Sequence, residues 1–270
     1  MEQPFFLARS FAFAVILAAI GNFGVARSAC AYPSSLIFAP SGDVMSQGST
    51  QVFFYNAFYG TAVDAWTGFN VGVIPRYPYG TSGLEFGGVE MGVDVFASPG
   101  NDPGIKPIGN IKIGLLNEAG AVPALAIGYM SWAFLHRDRS LNFSYLSASK
   151  AVMWGKNDLG RATLGLAHTM PTSPDAFKPT WPLPVGNQAL MGGWEFPSIG
   201  PFSFAIDTVG GVSELSSTCL VLNLEIVPGT FASVGYTISH NRSINSADAY
   251  FLQTYTDFDF SKAIAPKRLN

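Results

Sequence analysis

Apolar and polar side chains alternate along most of this chain, and the alternation predicts β-strands. In one such segment Val89, Met91 and Val93 fall on one face, whereas Glu90 and Asp94 fall on the other. Successive side chains of a strand point to opposite faces, so a period of two gives each segment an apolar face and a polar face. Helical patterns of about 10–15 residues, which would link parallel strands, do not separate the segments, and this indicates an antiparallel sheet.

The same pattern recurs about twelve times. The predicted strands are residues 50–60, 66–75, 83–97, 106–116, 121–134, 141–154, 160–170, 187–196, 202–210, 218–227, 231–240 and 248–260.

The connections between these strands alternate in length. After even-numbered strands they are mostly short, at residues 117–120, 155–159, 197–201 and 228–230. After odd-numbered strands they are mostly longer, at residues 98–105, 135–140, 171–186, 211–217 and 241–247. Short turns at one end and long loops at the other are typical of an outer-membrane barrel with a periplasmic N-terminus. The connection at residues 76–82 is longer than others of its class.

We therefore predict an all-β fold, a transmembrane antiparallel up-and-down β-barrel of about twelve strands. A barrel of ten strands and a secreted β-sandwich are the alternatives. Nearly continuous apolar faces favour the barrel, because the opposite faces mix Gly, Ser, Asn and isolated charges as a wet lumen would. Aromatic residues near the predicted strand ends suit the two interfacial girdles of a barrel. They are Tyr55, Phe58, Tyr59 and Trp66 at one rim, and Tyr77, Tyr79, Trp154, Trp194 and Phe196 at the other.

Composition agrees with a membrane-exposed exterior. Only 12% of the 270 residues are charged, about half the share usual in soluble domains. The net charge is −3 and no basic block occurs, so nucleic acid is not expected as a partner. The expected partners are outer-membrane lipid, the barrel assembly machinery and a small solute or ion.

The N-terminus predicts export. Residues 1–31 have the form of a signal peptide, with Arg9 before an apolar stretch and Ala29-Cys30-Ala31 at the cleavage site. After cleavage Cys219 is the only cysteine, so no internal disulfide is expected. We divide the rest into a periplasmic N-terminal segment at 32–49, the barrel at 50–260 and a C-terminal tail at 261–270.

The segment PSSLIFAPSGDVMSQGS at residues 33–49 carries a family resemblance. It resembles the start of uncharacterised Gram-negative outer-membrane barrels, including those associated with exopolysaccharide export. The resemblance implies an outer-membrane location. Such barrels usually end on a strand with a C-terminal aromatic residue that the assembly machinery reads. Here Phe258 and Phe260 look like that strand end, but ten residues follow them.

The candidate functional residues lie on the polar faces and in one loop. The lumen-lining candidates are Glu90, Asp94, Lys112, Lys150, Asp207 and Glu225. The longest loop, at 171–186, contains five prolines that stiffen it, and Phe177 and Trp181 are candidates to anchor it at the mouth. Twelve strands lie between a filled eight-stranded barrel and an open porin. The lumen is therefore either a narrow pore, whose acid excess would favour cations, or a closed ion-paired core.

Three functions follow from this architecture. The first is a narrow pore or facilitated channel for small solutes or ions. The second is a closed structural or assembly barrel linked to polysaccharide export. The third is a barrel hydrolase with a rim His–Ser site, using His136, His168 or His240. We expect no enzyme, no cofactor and no metal, because nucleotide-binding, nucleophile-elbow and metal-ligand motifs do not occur in the sequence.

Overall fold

The computed structural model describes residues 38–59, 62–98, 102–131, 142–169, 188–211, 216–240 and 248–260. Fourteen strands form within these residues. They are β1 Ser49–Tyr59, β2 Ala62–Ile74, β3 Tyr77–Pro78, β4 Glu85–Phe86, β5 Gly88–Ser98, β6 Asp102–Leu116, β7 Ala124–Ser131, β8 Asn142–Trp154, β9 Asn157–Thr169, β10 Gln188–Glu195, β11 Phe202–Val209, β12 Ser217–Val227, β13 Thr230–Ser239 and β14 Ala249–Asp259. In the described part of the chain, no helix has the length and apolarity needed to cross a membrane.

Twelve of these strands close into an antiparallel barrel, in which β1 pairs with both β14 and β2. The remaining neighbours follow chain order, with β2 pairing directly with β5 across the small hairpin. Closure leaves no barrel strand with a free edge, whereas a sandwich would have edges. The predicted twelve-stranded barrel is therefore confirmed, and neither the sandwich nor the ten-stranded alternative applies.

The register places the apolar faces outside. Phe69 on β2 is paired with Val93 on β5, and both are exposed, at 47% and 45%. One residue along, Asn70 is paired with Gly92 and is buried in the interior. Leu164 in the middle of β9 is 65% exposed. An apolar exterior of this kind is stable only against lipid, and the polar groups are consequently turned into the lumen.

The connection at residues 76–82 is long because it belongs to a second, two-stranded sheet. Tyr77 of β3 pairs with Phe86 of β4 in a sheet separate from the barrel. The predicted third strand is therefore divided into β4 and β5. The division falls at Gly87, and β5 begins directly after it at Gly88, whose φ of 95° is a left-handed conformation that favours glycine.

Aromatic residues at the long-loop end correct one prediction. Tyr55 and Trp66 were assigned to a lipid-facing girdle, but their register places both side chains inside the barrel. Tyr55 is 7% exposed and packs in a buried cluster with Phe251. The period of two decides this, because Tyr55 shares the face of the buried Gln51 rather than that of the exposed Phe54.

Candidate functional site: the barrel lumen

Residues 38–47, here called the lumen segment, run through the inside of the barrel. The Asp207 carboxylate on β11 accepts hydrogen bonds from the backbone N–H groups of Phe38 (2.7 Å) and Ala39 (2.8 Å). Glu90 on β5 accepts one from the N–H of Met45 at 3.0 Å. The segment then leads directly into β1. The expectation that residues 32–49 lie in the periplasm is therefore corrected for residues 38–47, because their bonding partners lie inside the barrel.

The wall also donates hydrogen bonds to the carbonyl groups of the lumen segment. The Ser147 hydroxyl donates to the backbone oxygen of Ser41 at 2.8 Å. The Lys112 ammonium donates to that of Asp43 at 3.0 Å. Buried backbone groups are costly unless they are bonded, so wall side chains replace the partners that a neighbouring strand would supply.

An ion-pair network holds the middle of the lumen segment. The guanidinium of Arg161 on β9 donates to both carboxylate oxygens of Asp43, at 2.6 and 2.8 Å. It also contacts Glu118 in the β6–β7 turn at 2.5 Å, and Glu118 pairs with Lys150 at 2.8 Å. A two-point contact between a guanidinium and a carboxylate is strong and directional. Burial alone would raise the pKa of Glu118, but hydrogen bonds from Lys150 and Arg161 keep that pKa below its usual value.

A close backbone approach fixes the lower end of the lumen segment, where the segment leads into β1. Gln47 forms an isolated parallel bridge with Gly72 on β2, and the N–H of Gly48 donates to the Gly72 carbonyl at 3.0 Å. A Cβ atom at Gly72 would lie 2.0 Å from the backbone oxygen of Ser46. Glycine is therefore required where the segment meets the wall.

A buried charge pair lies beside the segment. Glu90 and Lys112 face each other on β5 and β6, with side chains almost fully buried and 3.9 Å between Oε1 and Nζ. Each of the two also bonds to the lumen-segment backbone. Buried charges need such additional hydrogen bonds to offset the loss of water, so the pair and the segment depend on each other.

A second polar group lines the wall across β2, β5 and β6. Asn110 donates to Asn70 at 3.1 Å, and the two amides meet over Gly92. Asp94 is 3% exposed, interacts with the side chains of Asn110 and Trp66, and has one oxygen, Oδ1, that is buried without a hydrogen-bond partner. Gly68 leaves room for this carboxylate, because a Cβ there would lie 2.2 Å from that oxygen.

Aromatic rings adjoin this polar group. Phe38 of the lumen segment stacks on Trp66 with ring centroids 6.4 Å apart, and it meets Tyr55 edge-on at 5.9 Å. Tyr55 in turn meets Trp66 edge-on at 6.4 Å. The half of the lumen nearer the long loops is thus aromatic as well as acidic.

The predicted lumen residues are partly brought together. Glu90, Asp94, Lys112 and Asp207 are buried on inward-facing register positions. Glu225 is exposed at the turn end of β12, where its carboxylate accepts from the N–H of Gly229 at 3.1 Å.

Lys150 departs from the prediction that it lines the lumen. Its neighbour Ser149 on β8 faces inward and bonds to Thr163, so Lys150 has the outward register position. The long side chain reaches sideways to Glu118 and to the Gly120 carbonyl in the adjacent turn. It therefore supports the end of the barrel rather than the path through it.

The other predicted residues give no catalytic arrangement within the described ranges. His240 lies at the rim that carries the long loops, with Nε2 2.8 Å from the hydroxyl of Thr218, and His168 is exposed on the outward face of β9. His136, Phe177 and Trp181 lie outside the described residues. In the part of the chain that is described, no three His, Cys, Asp or Glu residues are grouped to hold a metal ion.

Sequence reasoning missed three contributors to the lumen: Asp43, Arg161 and the aromatic group. Arg161 is the second residue of the predicted strand 160–170 and looked like a strand-end residue, whereas Asp43 lies before the first strand. The alternation within β9 could have revealed Arg161, because its position shares the face of the polar Thr163.

Comparison with known proteins gives structural likeness only. No protein-family model matches the chain, and no curated protein matches it. A KdgM porin aligns over 77% of this chain and 99% of its own, with 7% identity and a TM-score of 0.48. A NanC porin aligns over 77% and 98%, with 8% identity and a TM-score of 0.42. The COG4313 outer membrane channel from Pseudomonas putida F1 aligns over 80% and 97%, with 10% identity and a TM-score of 0.46. At these values the likeness carries no argument about what this chain transports.

Proposed function

We propose that this chain is an outer-membrane channel for small solutes, in which the lumen segment narrows the path. The observation that carries the proposal is a closed twelve-stranded barrel with a lipid-compatible exterior and a charged, hydrogen-bonded interior. A barrel of this size is wider than the eight strands that side chains fill. The lumen segment occupies part of the additional width.

The sign of the lumen charge favours cations. Acidic side chains outnumber basic ones at the described inward-facing positions. The acidic residues include Glu90, Asp94, Glu195, Asp207 and Asp257, and the basic residues include Lys112 and Arg161. A pore lined mainly by carboxylates attracts cations and repels anions.

A closed barrel is the second candidate function, and the lumen segment favours it. The segment is bonded to β2, β5, β6, β8, β9 and β11, so it contacts much of the circumference. If the segment stays bonded, the protein would serve as a structural or envelope-assembly barrel, for which polysaccharide export is our candidate process.

Conductance distinguishes the two functions. Full-length protein refolded into a planar bilayer is expected to conduct in small, cation-selective steps. Folding is checked first by heat-modifiable migration on a gel. Correctly folded protein that never conducts would contradict the channel and favour the closed barrel.

A cross-link shows whether the lumen segment controls conduction. In a background without Cys30 and Cys219, Ser41→Cys and Ser147→Cys place thiols on two residues that are in direct contact, since the Ser147 hydroxyl donates to the Ser41 backbone oxygen at 2.8 Å. Oxidation is expected to lower conductance if the segment moves during conduction, and reduction should restore it. Each single cysteine variant, treated in the same way, is the control.

The proposal includes a route to the membrane. Residues 1–31 would direct export and be removed, and the strand end at Phe258–Phe260 would be read by the barrel assembly machinery. The mass of the mature N-terminus tests the first statement, since a chain that begins before residue 32 contradicts cleavage after Ala31. Replacing Phe258 and Phe260 with Ser tests the second, because assembly into the membrane should then fall.

A further inference from the structure

We propose that Phe38 and Ala39, at the upper end of the lumen segment, form an apolar gate in the half of the lumen nearer the long loops, and that the path opens when this end of the segment withdraws. This inference rests on the proposed channel function and assigns the position at which that channel is closed.

Two buried apolar clusters line the barrel wall in this half of the lumen. One includes Phe143 on β8 and Ala167 on β9, and the other includes Tyr55 on β1. β1 and β9 face each other across the lumen, since five barrel strands separate them on either side. Phe38 packs against both clusters, and Ala39 is a fully buried member of the first. The upper end of the lumen segment therefore joins the two clusters across the lumen.

The wall at this level carries many small side chains. Five alanines of the two clusters are at most 5% exposed, namely Ala57, Ala167, Ala189, Ala205 and Ala249. Twelve strands enclose more space than the eight that side chains fill, and an alanine side chain reaches only a short way towards the axis. Closure at this level therefore depends on larger groups, and Phe38 is one that the lumen segment supplies.

Two wall rings of the clusters are held close to the wall. A Cβ atom at Gly128 would lie 2.2 Å from the Tyr145 ring, and one at Gly235 would lie 2.1 Å from the Phe251 ring. Each ring therefore lies over the glycine with which it is paired on the neighbouring strand. Rings that extend along the wall in this way leave the centre of the lumen to the lumen segment.

An apolar layer across the lumen is a barrier to ions. An ion that enters it gives up water without gaining polar partners, and narrow apolar constrictions lose their water. By contrast, the ion pairs of Lys112 and Arg161 lie in the half of the lumen nearer the short turns. The barrier is therefore expected at the level of Phe38.

Different contacts hold the two parts of the lumen segment. Phe38 and Ala39 are held by apolar packing and by two hydrogen bonds to one oxygen of Asp207. Asp43, further along the segment, is held by the two-point ion pair with Arg161. Loss of the contact with a single carboxylate would thus free the gate while the rest of the segment stays bonded.

Conductance in planar bilayers tests the gate. Phe38→Ala removes the ring without changing the wall, and folding is checked by heat-modifiable migration. We expect its time-averaged conductance to exceed that of wild type about threefold or more, because the apolar constriction widens and fills with water. The matched control is Phe231→Ala, beside the short turn before β13, where Phe231 stacks on Tyr255 with ring centroids 4.7 Å apart. It should stay within about twofold of wild type, since it lies outside the constriction.

Labelling of Cys219 tests the gate without relying on conduction. Cys219 is fully buried and is paired with Asp207, the residue that holds the gate. In a Cys30→Ser background it is the only cysteine. A charged, water-soluble methanethiosulfonate should label it at least about tenfold faster when Phe38→Ala is added, because a buried thiol reacts only when the reagent reaches it. Phe231→Ala in the same background is again the control.

Each outcome decides between the gate and the alternatives. A rise in conductance or labelling that is confined to Phe38→Ala supports the gate. Conductance and labelling unchanged by Phe38→Ala would overturn it, and the channel would stand if that protein conducts. Equal rises in Phe38→Ala and Phe231→Ala would place the barrier elsewhere and also overturn the gate. Faster labelling in Phe38→Ala, with no conduction by either protein, would retain the apolar seal and reject the channel.

Discussion

Asp207 binds Phe38 across 169 residues of sequence, since its carboxylate accepts the backbone N–H of Phe38 at 2.7 Å inside the barrel. The contact joins the wall to a chain segment that forms no strand. The content of the lumen is therefore set by individual side chains, and single substitutions should change it.

Asp207→Ala should release the upper end of the lumen segment, at Phe38 and Ala39. It removes the acceptor of two hydrogen bonds, and bonds to a charged group contribute about 1.5–3 kcal/mol each. The expected result is faster maleimide labelling of Ser41→Cys, which is buried in the wild-type lumen, in a Cys219→Ser background. Asp257→Ala is the control, and equal labelling of both variants would show that Asp207 does not hold the segment.

Gly72→Ala should displace the lower end of the segment. The new methyl group would lie 2.0 Å from the Ser46 carbonyl oxygen, which is backbone and has no alternative rotamer. We expect a loss of about 1–3 kcal/mol in the free energy of unfolding, the usual cost of overpacking. Gly192→Ala is the matched control, because the nearest atom to its Cβ is 3.2 Å away. Equal unfolding midpoints in urea for the two variants would contradict the close approach.

Glu118 should make stability depend on pH at the end of the barrel that carries the β6–β7 turn. Hydrogen bonds from Lys150 and Arg161 lower its pKa in the folded protein, in spite of burial. Its stabilising contribution is therefore complete above the ordinary carboxyl pKa of 4.5 and is lost as the pH falls through the lowered value. Unfolding midpoints measured from pH 7 downwards should show Glu118→Gln less stable than wild type at neutral pH. The difference should shrink in acid, and a difference independent of pH would rule out this linkage.

Leu164→Arg tests the lipid-facing exterior. Leu164 is in the middle of β9 and 65% exposed, so an arginine there would meet the bilayer core. An arginine on the lipid-facing side lowers the stability of the folded barrel by about 2–4 kcal/mol at the bilayer midplane. Ile199→Arg makes the same kind of apolar-to-charged change in the turn between β10 and β11. It should be tolerated, because this exposed position lies outside the strands. Refolding yields into vesicles compare the two, and equal yields would argue against a membrane-spanning β9.

The alternation of side chains was sufficient to predict the barrel strands. Predicted strands such as residues 202–210 and 218–227 differ from β11 and β12 by a residue or so at their ends. One face of a barrel strand meets lipid and must be apolar, whereas the other face meets a wet lumen and is polar. The alternation along each segment therefore predicts both the strand and which of its faces lies outside the barrel.

The pattern was less informative where the chain leaves the wall. Residues 38–47 show no regular alternation of apolar and polar side chains. Their local sequence therefore does not distinguish a periplasmic segment from one inside a barrel. Their location is decided by Asp207, Glu90 and Arg161, which are distant in sequence and converge only after closure.

The sequence by itself determined the strand number, the antiparallel order and the separation of an apolar outside from a polar inside, because these depend on side-chain alternation and turn length. Only the tertiary structure decided what fills the lumen and which carboxylates have partners. The physical reason is that hydrogen bonds and ion pairs in the lumen join residues that are far apart in sequence, by 118 positions for Asp43 and Arg161. Their geometry exists only when the twelfth barrel strand has closed on the first.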